Sequence, residues 1–331
     1  MSATGQAVPV EEGSDRAPMP FESTGPCWVC GGAARDRVWS DPFDLTSLPR
    51  YGPRAHADHP ASWLVRCRSC GFAQPESLPA APDYFDLLYQ NAWSPEALDL
   101  EFDFGHKDLI FRAVLAGLER RRAPGVPKSV LDVGTHVGRF PFLAQQAGWE
   151  AEAIELNPRT AEYAARRTGL PSHQASAEAL ATSGRRYGAV ALTDVLEHIP
   201  RPLPLVTDLR RLIVPGGVIA IKVPHGVAQR LKERIRRSLL KKADAGVMTR
   251  FVHVNHFTVR SLRECLERAG FHKVTIGIGA PELTPASPGR TFAQAQGTRL
   301  RMAVYHAGRL LPGGVHTPLS LNLQAFARNP E

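Results

Sequence analysis

The sequence predicts an α/β protein in which a small cysteine-paired module precedes an open parallel sheet with helices on both faces. Three observations carry this. From Lys128 onward, short apolar runs alternate with amphipathic segments of helical period, the pattern of a parallel sheet covered on both sides. The first run, Ser129–Val133, leads into a glycine turn, Gly134-Thr135-His136-Val137-Gly138. Ahead of it lie two C-x-x-C pairs, Cys27/Cys30 and Cys67/Cys70.

The elements follow in order. Residues 1–24 read as a disordered tail, with Glu11, Glu12 and Asp15 but no apolar segment of a secretory signal. Residues 25–80 hold the cysteine pairs. Residues 81–127 form a helical connector, where Leu109, Ala113, Ala116 and Leu118 share one face of a helix over Lys107–Arg122 that Pro124 and Pro127 end. Residues 128–331 form the large domain. Its expected strands are Ser129–Val133, Ala151–Glu155, Ala189–Thr193, Gly217–Val223, Lys273–Ile278 and Ser320–Ala327. Its expected helices fill 138–147, 158–168, 202–213 and 258–269. Two insertions, 225–257 and 282–318, interrupt the rhythm and are placed on the substrate side.

The apolar fraction of 43% and charged fraction of 22% are those of a folded globular chain. No apolar run approaches the roughly 18 residues of a membrane span. The cytoplasm is the expected compartment, and there the cysteine pairs are metal ligands rather than disulfides. A net charge of +8 favours anionic contacts without choosing among nucleic acid, lipid headgroup and phosphorylated small molecule. Within 230–242, seven basic residues face only Glu233, and Leu231, Ile235 and Leu239 recur every four positions. That run is either a solvated helix packed on the domain or a peripheral membrane contact.

The glycine turn lets backbone approach a ligand where a Cβ would collide. At the end of the next strand, Glu155 is placed to accept hydrogen bonds from both hydroxyls of a ribose. These residues resemble the first motif of the class I methyltransferases, with Asp132, Gly134 and Gly138 matching and His136 at the position of the middle glycine. The resemblance continues through Tyr187–Pro200, through Leu209–Val218 with its Pro215-Gly216-Gly217 turn, and through His256–Phe271. It implies a Rossmann-like seven-stranded methyltransferase sheet and S-adenosylmethionine as cofactor, bound by Asp132, Gly134, His136, Gly138, Glu155 and Asp194. A dinucleotide-binding dehydrogenase is the rival fold, but its G-x-G-x-x-G fingerprint is not met. The family has no fixed catalytic residue. His198, His225 and His256 are the candidate bases, each with a plain structural reading as a loop histidine; His253 shares that neighbourhood. Cys265 falls in register with Leu262, Leu266 and Ala269 as a core residue.

Each C-x-x-C places two thiolates on one side of a tight turn, so Cys27, Cys30, Cys67 and Cys70 complete a tetrahedral, structural zinc site of zinc-ribbon type with no open position. His56 and His59 lie between the pairs. A redox role is disfavoured, since neither pair opens a helix after a strand. The module resembles one that precedes the catalytic domain in bacterial methyltransferases of sugar and cell-envelope biosynthesis. That resemblance implies a small-molecule or glycan acceptor, nucleotide- or lipid-linked, held between the two domains. The alternatives are an RNA methyltransferase and a non-catalytic zinc-bearing interaction protein. The module's lack of aromatics interleaved with Lys and Arg speaks against nucleic acid. The sequence sets no oligomeric state.

Overall fold

The computed structural model describes residues 21–40, 63–80, 94–240, 253–283 and 292–330. Residues 1–20 of the tail expected over 1–24, and His56 and His59, fall outside these; Phe21–Ser23 are instead a strand and Thr24 is buried. Five short strands build the front module: β1 (Phe21–Ser23), β2 (Arg35–Ser40), β3 (Trp63–Cys67), β4 (Ala73–Pro75) and β5 (Ser77–Pro79). β2, β3 and β4 form an antiparallel three-stranded sheet, and β1 pairs with β5. Part of the long separation between the cysteine pairs is therefore β2.

Two helices follow, α1 (Pro95–Phe104) and α2 (Asp108–Arg121). Ser94 caps α1 by accepting from the Ala97 N–H, which offsets one of the unpaired amides of a first turn. α1 was not foreseen; α2 matches the expected connector helix. Val114 and Leu118 of α2 are buried against the main sheet.

The sheet has seven strands. They are β6 (Ser129–Val133), β7 (Glu150–Ile154), β8 (Ser172–His173), β9 (Tyr187–Thr193), β10 (Ile213–Pro224), β11 (His272–Ile278) and β12 (Asn322–Arg328). Their spatial order is β11-β12-β10-β9-β6-β7-β8, with β12 antiparallel to both neighbours. The helices between them are α3 (Arg139–Gln146), α4 (Pro158–Thr168), α5 (Ala177–Ala181), α6 (Pro202–Arg211), α7 (Gly226–Leu240), α8 (Val259–Arg268) and α9 (Phe292–Leu310). Six residues of β9, Tyr187–Leu192, are buried in succession, as a central strand covered on both faces requires. The order reverses between β6 and β9. Such a switch point opens a crevice beyond the carboxyl ends of the strands, where open α/β sheets bind ligands. This is the seven-stranded Rossmann-like sheet expected from the sequence.

Module and sheet share one core. Cys27, Trp28 and Phe72 belong to the same buried cluster as Phe257, Leu262 and Leu266. The rings of Phe72 and Phe257 lie 5.0 Å apart. Ala73 and His256 exchange main-chain hydrogen bonds of 3.2 and 2.9 Å, and the Thr258 hydroxyl donates to the Cys70 carbonyl at 3.2 Å. Thr258 also caps α8 in a capping box with Ser261.

α7 carries the basic run expected at 230–242 as far as Leu240, the rest lying outside the described residues, and two of its expected apolar positions face outward. Arg230 and Glu233 are buried, while Leu231 and Ile235 are 40% and 45% exposed. The inward polar row has specific partners. Arg237 lies 4.4 Å over the Trp39 ring, Glu233 accepts from Arg236 at 3.3 Å, and Gln229 bonds two histidines. Among the described residues no helix is long and apolar enough to cross a membrane.

Candidate functional site

The switch-point crevice is lined from four strand ends. At the first, Asp132 is 4% exposed; burial, with help from Glu155, pushes its carboxyl up to about 7. The turn that follows folds back on β7, with the Gly134 N–H donating to the Ile154 carbonyl at 2.9 Å. Gly134 has φ 72°, and a Cβ there would sit 2.7 Å from Val195 Cγ2. Gly138 has φ 79°, and a Cβ would press on Ala164 at 3.0 Å. Both glycines are thus required, one for close approach to the β9 loop and one for packing α3 on α4.

His136 stands between them at φ 51°, in the region where a side chain costs about 1 kcal/mol. Its N–H donates to Glu155 Oε2 at 2.8 Å, and the Asn157 N–H donates to Oε1 at 3.0 Å. Two main-chain donors therefore fix the Glu155 carboxylate at the end of β7. Burial, aided by Lys107, lowers the His136 imidazole to about 4, so it is neutral near pH 7.

At the end of β9, Asp194 adopts φ 57° and is held between two lysines. Lys222 of β10, itself 3% exposed, donates a hydrogen bond to Oδ1. Lys107, at the start of α2, lies 3.2 Å from Oδ2. Burial pushes the Asp194 carboxyl up, but Lys222 and Lys107 outweigh it and hold it well below the usual range. Burial likewise opposes charge on Lys107, yet Asp194 and Glu282 keep it raised. One turn on, Glu197 is 1% exposed, and burial with the nearby Asp194 pushes its carboxyl up to about 8.

His198 is half-buried, its ring 4.7 Å from that of His253 in an edge-to-face arrangement. Glu197, His198 and His253 bring one ligand-capable atom each within 4.8 Å of one another. Burial lowers the His253 imidazole to about 4. Asn255 ties the segment down, its Nδ2 donating at 2.7 Å to both the Leu196 and Ile199 carbonyls.

The other two candidate bases are more deeply buried. His225 is 2% exposed, with Nδ1 2.9 Å from the Ser320 carbonyl. His256 is fully buried at the module interface, with Nδ1 3.2 Å from Gln229 Oε1. The Gln229 Nε2 also meets His253 Nδ1 at 3.4 Å. Sequence reasoning missed Lys107 and Lys222. Lys222 was visible as the one charge in the apolar run Val218–Val223; Lys107 carried no signal.

In the module the four cysteines converge. Cys27 and Cys70 sulfurs are 3.5 Å apart, Cys30 and Cys67 sulfurs 3.4 Å, and all four lie within 4.8 Å. None is disulfide-bonded. The two turns repeat one geometry: the Gly31 N–H donates to the Cys27 carbonyl at 2.9 Å and the Gly71 N–H to the Cys67 carbonyl at 3.0 Å. Tetrahedral zinc–thiolate bonds of about 2.3 Å imply sulfur separations of about 3.8 Å, so this donor set fits zinc.

Fold and site together define an open α/β domain that presents a glycine turn, a carboxylate fixed by two main-chain donors and an aspartate held by two lysines at one switch point. A family model described as a methyltransferase domain matches residues 107–276, just over half of the chain, and the chain belongs to that family, the class I S-adenosylmethionine-dependent methyltransferases. A ubiquinone biosynthesis O-methyltransferase of Cereibacter sphaeroides is 28% identical over 155 residues, covering 43% of this chain and 62% of that relative. Among solved structures, phosphoethanolamine N-methyltransferase 2 of Haemonchus contortus has a TM-score of 0.48 at 14% identity, over 78% of this chain and 63% of that one. A sugar N-methyltransferase of Streptoalloteichus has a TM-score of 0.34 at 29% identity, over 40% of this chain and 55% of that one.

Proposed function

We propose that the protein transfers the methyl group of S-adenosylmethionine to a small-molecule acceptor. The observation that carries this reading is the fixed Glu155 carboxylate beside the glycine turn, at the switch point of the sheet. Asp132, Gly134, His136, Gly138, Glu155 and Asp194 would hold the cofactor, with Glu155 accepting from the ribose hydroxyls. Bound there, S-adenosylmethionine supplies a methyl group already activated by its sulfonium. The chain's part is to hold an acceptor atom in line, to exclude water, and to take a proton where the acceptor carries one.

We assign proton acceptance to His198. It is half-buried, with Glu197 and His253 within 4.8 Å, whereas His225 is 2% exposed and His256 fully buried. Lys107, 28% exposed beside Asp194, suits an anionic acceptor, such as a nucleotide- or lipid-linked sugar. The relative's quinone-pathway name supports an O-methyl acceptor in general. Zinc held by Cys27, Cys30, Cys67 and Cys70 would be structural, because four thiolates leave no open position.

Calorimetric titration of S-adenosylmethionine tests the reading. Wild type is expected to bind, and Glu155→Ala to lose at least tenfold in affinity, about 1.4 kcal/mol, with its thermal transition intact. A folded wild type that does not bind would overturn it.

A further inference from the structure

Helix α9 lies beyond the residues that the family model matches, and it turns its apolar side outward. Leu300 is 66% exposed, Leu310 83%, and Leu311, directly after the helix, 48%. Ala303 and Ala307 are exposed between them. Positions 300, 303, 307 and 310 recur at helical period, so they form one stripe. A helix in contact with water normally buries such a stripe. Here the inward side is occupied by other positions: Gly308 is packed so closely that a Cβ would lie 2.8 Å from Ile278.

The segment that carries the stripe is basic. Residues 283–330 contain Arg290, Arg299, Arg301, Arg309 and Arg328 and no Asp or Glu. Beside α9, a cleft of about 440 Å³ opens between α2, α9 and strands β11 and β12. Arg120, Arg121 and Arg309 line it, and no carboxylate does. Arg121 donates to the Gly117 carbonyl and the Thr275 hydroxyl, and Arg309 to the Tyr305 hydroxyl. These are neutral acceptors, and the guanidiniums of Arg121 and Arg309 also lie over the rings of Phe326 and Tyr305.

Exposed leucines beside arginines are the chemistry of an interfacial helix. A single-stranded nucleic acid would call for stacking aromatics, and the stripe exposes leucine and alanine. We propose that α9 docks the protein on an anionic lipid surface, with Leu300, Leu310 and Leu311 entering the boundary between headgroups and acyl chains and Arg299 and Arg309 meeting lipid phosphates. This is separate from the basic run of α7 and does not depend on methyl transfer.

The test is flotation of the full chain with vesicles of phosphatidylcholine, with and without phosphatidylglycerol. Binding is expected only where phosphatidylglycerol is present, and it should weaken with salt. The double variant Leu300→Glu/Leu310→Glu should need about tenfold more lipid for half-binding. Both sites are solvent-facing, so the fold should survive. Leu100→Glu, at a 63% exposed position of α1, should behave as wild type. No association with phosphatidylglycerol vesicles would overturn the proposal, as would association that the double variant retains. A protein dimer or an RNA complex that the double variant abolishes, in the absence of vesicle binding, would overturn it in favour of that partner. S-adenosylmethionine binding, titrated on the same variants, should be unchanged, which separates failure here from failure of the methyltransferase reading.

Discussion

Glu155 accepts the main-chain N–H of His136 at 2.8 Å, so the bond that joins β7 to the glycine turn owes nothing to the imidazole. Glycine at this position would present the same N–H and would relieve the φ of 51°. His136→Gly is therefore expected to bind S-adenosylmethionine within about threefold of wild type, measured by titration calorimetry beside Glu155→Ala. Loss of binding in His136→Gly would show that the ring itself holds the cofactor.

The buried Glu197 makes stability depend on pH in a definite direction. Folded, it keeps its proton up to about 8; in the unfolded chain it releases it near pH 4.3. Between those values the folded state binds more protons, so this group's contribution to stability falls as pH rises. Glu197→Gln cannot titrate. Its melting temperature relative to wild type is expected to climb from about pH 5 to about pH 8. His225 and His253, lowered to about 4, and His256, lowered to about 3, act oppositely, losing stability as pH falls below about 6.5. They are common to both proteins and drop out of the difference. A difference that stays flat across this range would mean that Glu197 is not protonated in the fold.

Much of the sheet was legible because its strands are apolar runs bounded by breakers. Ser129–Val133 lies between Lys128 and Gly134 and was placed to the residue. α9 was not foreseen: its first half, Phe292–Thr298, is rich in Gln, Gly and Ala and carries little apolar period. The direction of α7 was hidden for another reason: its inward row is polar and is explained only by Trp39 and by the histidines of 253–256, far away in sequence. The site shows the same division. Local chemistry pointed to Asp132, Gly134 and Glu155. Position after β10 and before α8 pointed to His225 and His256, and no linear pattern discloses that Ser320 and Gln229 meet their Nδ1 atoms.

The cysteine cluster should stabilise more than the module. Phe72 packs on Phe257, and Thr258 at the start of α8 bonds the Cys70 carbonyl, so loosening the four-cysteine turn removes support from the helix beside β11. The purified protein is expected to carry one zinc per chain by elemental analysis. Chelation, or Cys70→Ser, should lower the melting temperature of a single cooperative transition. Phe72→Ala, which leaves the thiols intact, should cost about 3–5 kcal/mol while keeping the metal. Two independent transitions in the metal-free protein would show that module and sheet fold separately.

Asp194 has two lysines to neutralise, and this makes its structural and functional roles separable. Removing one partner of a buried ion pair leaves an uncompensated charge and costs about 3–5 kcal/mol. Asp194→Ala strands Lys222, which is 3% exposed, and should lower unfolding free energy in urea by that order. Lys222→Met in the same background removes the stranded ammonium and keeps the volume filled, so most of the loss should be recovered. S-adenosylmethionine binding is expected to follow a different course. If Asp194 lines the cofactor pocket, the double variant regains stability yet still fails to bind. Binding that returns together with stability would confine Asp194 to holding the lysines in place and would leave cofactor recognition to Asp132, the glycine turn and Glu155.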